Sequence, residues 1–171
     1  MTGLPEPGFT AADPGTVRRV ASRFATGVAV VTTRTDAGFH GVTVSSFTWV
    51  SYDPPLVLIC LDKLLHSHDL VEESGIFGVS ILSADQEFLA ERFAGRAPLV
   101  DARFSGVPYH TAATGAPLIE GALGWLDCRL HATYDGGDHS IFVGLVVAAE
   151  FGVDGRPLLY YVGRYADLLV R

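Results

Sequence analysis

Apolar positions in this 171-residue chain follow two periods, and the change from one to the other marks the elements. Over residues 13–27 the apolar side chains Val17, Val20, Ala21 and Phe24 keep the spacing of one helical face. Asp13 before Pro14 supplies an N-cap and a first helical residue, and Gly27 supplies a stop. The period then falls to two. "VAVVTTRTDAGFHGVTVSSFTWVS" reads as strand, turn and strand, with TDAG as the turn and Val42 and Val44 alternating with Thr43 and Ser45. "PPLVLICLDK" reads as a short strand apolar on both faces. "SHDLVEESG" suits a helix capped by Ser67 and ended by Gly75, and "IFGVSIL" returns to strand. In "SADQEFLAERFAG", Ser83 and Gln86 have capping-box spacing, and Phe88, Leu89 and Phe93 share one side. Residues 95–120 carry several Gly and Pro and read as irregular. Three further strands, "ALGWLDCRLHATY", "HSIFVGLVVAAEFG" and "PLLYYVG", are separated by turns at DGGD and VDGR.

Strands joined mainly by hairpins, with helices near the start and middle, predict a mainly β fold built as an antiparallel barrel. The Pro- and Gly-rich start reads as a flexible segment over residues 1–15. Residues 16–171 read as one domain, with no repeat or linker inside.

Composition narrows the function classes. Acidic residues outnumber basic ones 19 to 12, a formal net charge of −7, which argues against a nucleic-acid partner. No apolar run reaches the roughly 18 residues of a membrane span, and the first residues lack a signal-peptide pattern. Apolar residues reach 49% and mean hydropathy is +0.31, high for a soluble monomer, so a homodimer is expected to hide the surplus. Cys60 and Cys128 lie in apolar runs without a CxxC motif, as expected of two buried thiols in a reducing cytoplasm.

GxGxxG, GxxxxGKS and GxSxG motifs are absent, which argues against a Rossmann site, a P-loop and a serine hydrolase. His66 and His68 alternate, but no further ligands stand at metal-binding spacing. The informative segment is "GVTVSSFTWVSYDPPLVLICLDK". Thr43, Ser45 and Ser46 put small hydroxyls at the exit of one strand, where a flat ligand can lie against backbone polar groups. Lys63, the only Lys in the chain, ends the next strand just before the helix that Ser67 is expected to cap. A helix N-terminus, a hydroxyl and an ammonium suit a phosphate. Apolar strands, a polar rim and a phosphate corner together describe a flavin mononucleotide site. One element is left over: the His139–Ser140 pair opens an apolar strand after a polar turn, where the fold needs no His.

"FATGVAVVTT", "GVTVSSFTWVSYDPPLVLICLDK", "FGVSILSADQEFLAERFAG", "GAPLIEGALGWLDCRLHATYDGGDHSIFVGLV" and "PLLYYVGRY" stand in an order that resembles the short-chain flavin reductases of two-component flavin-dependent monooxygenases. The resemblance runs from about residue 16 to the end. It implies an FMN-binding split barrel of antiparallel Greek-key type with inserted helices. It also implies an NAD(P)H:flavin oxidoreductase, acting on FMN or FAD and passing reduced flavin to a partner monooxygenase. By the same resemblance, Thr43, Val44, Ser45 and Ser46 face the isoalloxazine and ribityl chain. Cys60, Leu61, Asp62 and Lys63 line the ribityl and phosphate side, with Ser67 on the phosphate. Phe93 closes over the flavin. His139 is the catalytic candidate beside the nicotinamide, with Arg164 and Tyr165. Leu64, Leu65 and His66 depart from the family's usual Ser at this corner. Two other readings use the same residues: a flavoprotein that keeps its flavin and acts on an organic substrate, and a non-catalytic flavin binder.

Overall fold

A computed structural model describes residues 10–96 and 104–169. Helix α1 covers Pro14–Ala21, and the Asp13 carboxylate accepts the Thr16 backbone N–H at 2.7 Å, as the N-cap reading requires. The helix stops earlier than expected. Ser22 is its C-terminal cap, and Gly27 lies in β1 (Thr26–Gly27). The apolar stripe of α1 meets no core, and Phe24 just beyond it is 77% exposed.

A seven-stranded sheet follows in the spatial order β3, β2, β6, β9, β10, β5, β4. These strands span β2 Ala29–Thr35, β3 Gly38–Val44, β4 Thr48–Tyr52, β5 Pro55–Asp62, β6 Ile76–Ile81, β9 Gly124–Gly136 and β10 His139–Phe151. Every neighbouring pair is antiparallel. Laid flat, seven strands would hold β3 and β4 about 29 Å apart. Yet Val42 and Val44 of β3 share one buried cluster with Val57, Ile59 and Leu61 of β5, and with Phe77 of β6 and Phe142 of β10. The sheet is therefore curled into a barrel. Its edges β3 and β4 are joined by residues 45–47 and not by a ladder, so the barrel is split there.

Helix α2 (His66–Ser74) contributes Val71 to this cluster. It begins one residue before Ser67, with Leu65 at the N-cap and no side-chain cap. The earlier turn explains the difference: Asp62 accepts the Leu64 N–H on its carboxylate at 2.8 Å and the Leu65 N–H on its carbonyl at 3.0 Å. Gly75 ends α2 with φ 65°, as expected. The capping-box pair holds too, since Gln86 Oε1 accepts the Ser83 N–H at 3.2 Å. A 3-10 turn (Ala84–Gln86) then leads into α3 (Glu87–Phe93). Leu89, Ala90 and Phe93 pack with Val28 and Val30 into a second cluster on the other face of β2.

Residues 104–120 are less irregular than the sequence suggests, for β7 (Tyr109–Thr111) pairs with β8 (Pro117–Ile119). Near the C-terminus, β11 (Leu159–Tyr161) pairs with both β1 and β12 (Arg164–Ala166). Strand β5 also differs from expectation. Val57, Ile59 and Leu61 are buried while Leu58 and Cys60 are half-buried, so only one face enters the core. Of the flexible segment expected over residues 1–15, residues 1–9 lie outside the described residues, and Pro14 and Gly15 already belong to α1.

Close packing at the barrel centre gives a direct test. A Cβ on Gly144 of β10 would lie 2.4 Å from Cζ of the fully buried Phe77. Gly144→Ala is therefore expected to cost about 1–3 kcal/mol by overpacking. Urea unfolding should show a lower midpoint at unchanged slope.

Candidate functional site

The split in the barrel places one strand exit, one strand end and one strand start together. Pairing of β5 with β10 sets His139 opposite Asp62, Ser140 opposite Leu61 and Ile141 opposite Cys60. Across the split, Thr43, Val44, Ser45 and Ser46 complete a cavity of about 330 Å³, which Leu65 borders from the turn before α2. That volume falls in the range of small-ligand pockets, roughly 300–1,000 Å³. A second cavity of about 170 Å³ shares Thr43, Val44 and Ser45 and is walled by Arg96, Tyr160 and Tyr165. Seven expected positions from two separate segments, 43–46 and 60–62, thus meet in one pocket with His139.

Local hydrogen bonds shape the rim. Ser46 Oγ donates to the Cys60 carbonyl at 2.9 Å and accepts the Cys60 N–H at 3.1 Å, standing in for a strand partner where β4 has not yet begun. Thr43 Oγ1 donates to the Ala90 carbonyl at 2.7 Å, which ties β3 to α3. Both hydroxyls build the site. Burial pushes the Cys60 thiol above its ordinary pKa, and that of Cys128 goes to about 12 through burial and the neighbouring Asp127. Neither thiol is an activated nucleophile. Cys128 is buried as expected, and Cys60 is half-buried.

Four expected site residues sit elsewhere. The Lys63 ammonium bonds Asp135 Oδ1 at 2.5 Å and the Gly137 carbonyl at 2.7 Å. Its own N–H donates to the Asp138 carbonyl at 3.0 Å. Lys63 therefore clasps the β9–β10 turn, because two acceptors and a carboxylate there satisfy its charge. Ser67 is buried and shares a 2.9 Å hydrogen bond with His40 Nε2. Phe93 is 1% exposed and packs in the core beside Phe104 and Gly41, where a Cβ would meet its ring at 2.7 Å. Arg164 is exposed and borders neither cavity, although its neighbour Tyr165 walls the second.

His139 Nδ1 lies 2.7 Å from Asp138 Oδ1. The imidazole holds the Asp138 carboxyl below its ordinary value by hydrogen bonding and charge. One residue on, Ser140 shares a 2.8 Å hydrogen bond with His68 Nε2, which anchors the start of β10 to α2. Arg96, Tyr160 and Leu65 are pocket residues that sequence reasoning missed. Arg96 reaches Glu91 at 3.3 Å and bonds the Tyr160 hydroxyl, which holds its pKa up. Tyr165 is pushed up to about 12, mainly by burial and next by its bond to Glu91. Only the aromatic "LYYVGRY" run hinted at this wall. Among the described residues, no group of three or more His, Cys, Asp or Glu is placed to hold a metal ion. No helix there is long and apolar enough to cross a membrane.

The Lys63–Asp135 clasp carries a pH signature. Lys63 holds the Asp135 carboxyl below its ordinary 3.8, first by hydrogen bonding and then by charge. A depressed carboxylate stabilises the fold above its unfolded pKa, and that contribution is lost as pH falls through the folded one. In Lys63→Met, an NMR titration should show the Asp135 pKa rising back toward 3.8, with the difference in acid stability confined to that window.

Comparison with known proteins agrees with this fold. A family model described as "Flavin reductase like domain" matches residues 21–169. The reductase subunit HsaB of a flavin-dependent monooxygenase from Rhodococcus jostii is 37% identical over 92% of this chain and 80% of its own. An NADH-dependent flavin reductase from Rhodococcus sp is 39% identical over 89% of this chain and 85% of its own. Among solved structures, the NADH:FAD oxidoreductase SgcE6 of Streptomyces globisporus superposes with a TM-score of 0.85 at 40% identity, covering 96% of this chain and all of that one, 100%. A curled, split, antiparallel barrel with its pocket at the split, matched along most of its length, makes this chain a member of the flavin reductase-like family.

Proposed function

We propose that the protein oxidises NADH, reduces a free flavin by hydride transfer, and releases the reduced flavin to a separate monooxygenase. The observation that carries this reading is the pocket itself: a rim of small residues, Thr43–Ser46, set across the split from the end of β5, with His139 at its mouth. Hydride transfer needs no nucleophile and no acid–base pair. It needs two rings held face to face, an effect of orientation. A bound flavin would supply the redox chemistry as acceptor of the hydride, which carries both electrons, from the dihydronicotinamide.

The chain's own residues bind, orient and exclude water. Thr43–Ser46 offer backbone edges, and Ser45 its hydroxyl, to a flat ring, and the half-buried Cys60 and buried Leu61 wall off solvent. His139 stands at the mouth. Its Nδ1 faces Asp138, which leaves Nε2 for the second substrate, where it holds the nicotinamide carboxamide. Tyr165 walls the adjoining cavity and would line the path of the nicotinamide ribose. The cosubstrate is NADH, as in the name of the Rhodococcus sp relative, and the partner is an oxygenase of the kind HsaB serves.

The functional unit is a cytoplasmic homodimer. Strand β4 leaves one sheet edge open and carries Trp49 and Tyr52, stacked with centroids 4.7 Å apart and 58% and 79% exposed. An open edge with exposed aromatics favours a second chain. Sedimentation at micromolar concentration should give a dimer, whose interface on this scale buries on the order of 2,000 Å² or more. A monomer would contradict it.

The function itself is tested with purified protein, NADH and free flavin. Catalytic loss of flavin colour under anaerobic conditions is the expected result. His139→Ala should slow flavin reduction or raise the KM for NADH about ten- to hundredfold, the worth of one hydrogen bond to a buried or charged group. Flavin affinity, read by fluorescence, should move less than about threefold on the same scale. A variant that loses flavin yet reduces what remains at the normal rate would assign His139 to the flavin instead.

A further inference from the structure

The corner beside the flavin pocket departs from what a phosphate needs. The Lys63 ammonium is neutralised by Asp135 and satisfied further by the Gly137 carbonyl. The Ser67 hydroxyl is buried against His40. Leu64 is 93% exposed and Leu65 borders the cavity, so two leucines stand where an anion would look for hydroxyls. The remaining charge here is mostly negative. Asp62 lines the cavity, opposite His139 in the β5–β10 register, and Asp135 and Asp138 stand on the adjoining turn. Lys63 and His139 hold the last two carboxyls below their ordinary values, so both are anions at neutral pH. Three carboxylates against one ammonium and one imidazole repel a dianionic group.

From this arrangement, and resting on the flavin-reductase reading above, we infer that the pocket selects the isoalloxazine ring and ribityl chain and takes no affinity from a terminal phosphate, so riboflavin is as good a substrate as FMN. A built phosphate site would behave otherwise, since each charge-assisted contact is worth about ten- to hundredfold in affinity. Asp62 is then the residue that sets the flavin preference. Its carboxylate already accepts the Leu64 N–H, a bond that an amide oxygen can keep.

The experiment is a fluorescence titration with riboflavin, FMN and FAD, paired with NADH-oxidation rates for each, on wild type, Asp62→Asn and Lys63→Ala. Riboflavin and FMN should bind within about threefold of one another in wild type, far inside the range of one phosphate contact. Asp62→Asn should shift the ratio toward FMN by about threefold or more, since one unit of repulsion is gone. Lys63→Ala should move the ratio toward riboflavin by no more than about threefold, since it leaves the Asp135 carboxylate without its ammonium. FMN binding more than about tenfold tighter than riboflavin, with the advantage lost in Lys63→Ala, would overturn the inference and make Lys63 a phosphate ligand. A ratio unmoved by Asp62→Asn would overturn it as well. Failure of all three flavins to bind or be reduced would sink the flavin-reductase reading itself, a different result from either.

Discussion

The site depends on the register between β10 and β5. Seven consecutive residue pairs, from His139 opposite Asp62 to Leu145 opposite Leu56, align the start of one strand with the end of the other. Because side chains alternate faces, a slip of one residue would turn Phe142 out of the core and move His139 off the pocket. The clasp of Lys63 on Asp135 and Gly137 secures this alignment across 72 to 74 residues of chain. Beyond it, His68 binds Ser140 and so fixes α2 to the same strand. Bulges after Val143 and Val146 in the β9–β10 ladder add twist farther along, where the sheet must curl, and leave the site end regular.

Electrostatics and packing play separate parts here. Packing shapes the pocket: Thr43 and Ser46 spend their hydroxyls on α3 and β5, which stiffens the rim. Charge is concentrated at the mouth, on Asp62, Lys63, Asp135, Asp138 and His139. A ring-to-ring hydride transfer gains from the first through orientation. It gains from the second only through the choice of which substrate tails are tolerated.

Much of this was legible in the sequence, for reasons that can be named. Asp13–Pro14, Gly75 and the Ser83–Gln86 pair are local signals, and each keeps its role because caps are made within a few residues. The hairpins at TDAG and DGGD were legible for the same reason. The convergence of 43–46 with 60–62 was reached through motif resemblance, since no periodicity specifies which strand ends meet. Lys63 and Ser67 hold partners, Asp135 and His40, that are distant in sequence, and nothing local distinguishes a clasp from a phosphate ligand. Phe93 reads equally well as a lid or a core residue until Gly41 is seen to make room for its ring. The short strand β12 and the β7–β8 pair were hidden by Gly- and Pro-rich surroundings.

The flavin ring is proposed to lie in the split of the barrel, between 43–46 and 60–62, with His139 at the mouth. Backbone amide NMR during a titration with riboflavin tests it most directly. The account predicts that the largest shifts fall on Thr43–Ser46, Cys60–Asp62 and His139, with little change elsewhere. The protein has another cavity of about 370 Å³, walled by Trp125, Leu126 and Phe151 at the far end of the β9–β10 hairpin. Shifts centred there, with the residues of the split unmoved, would contradict the account.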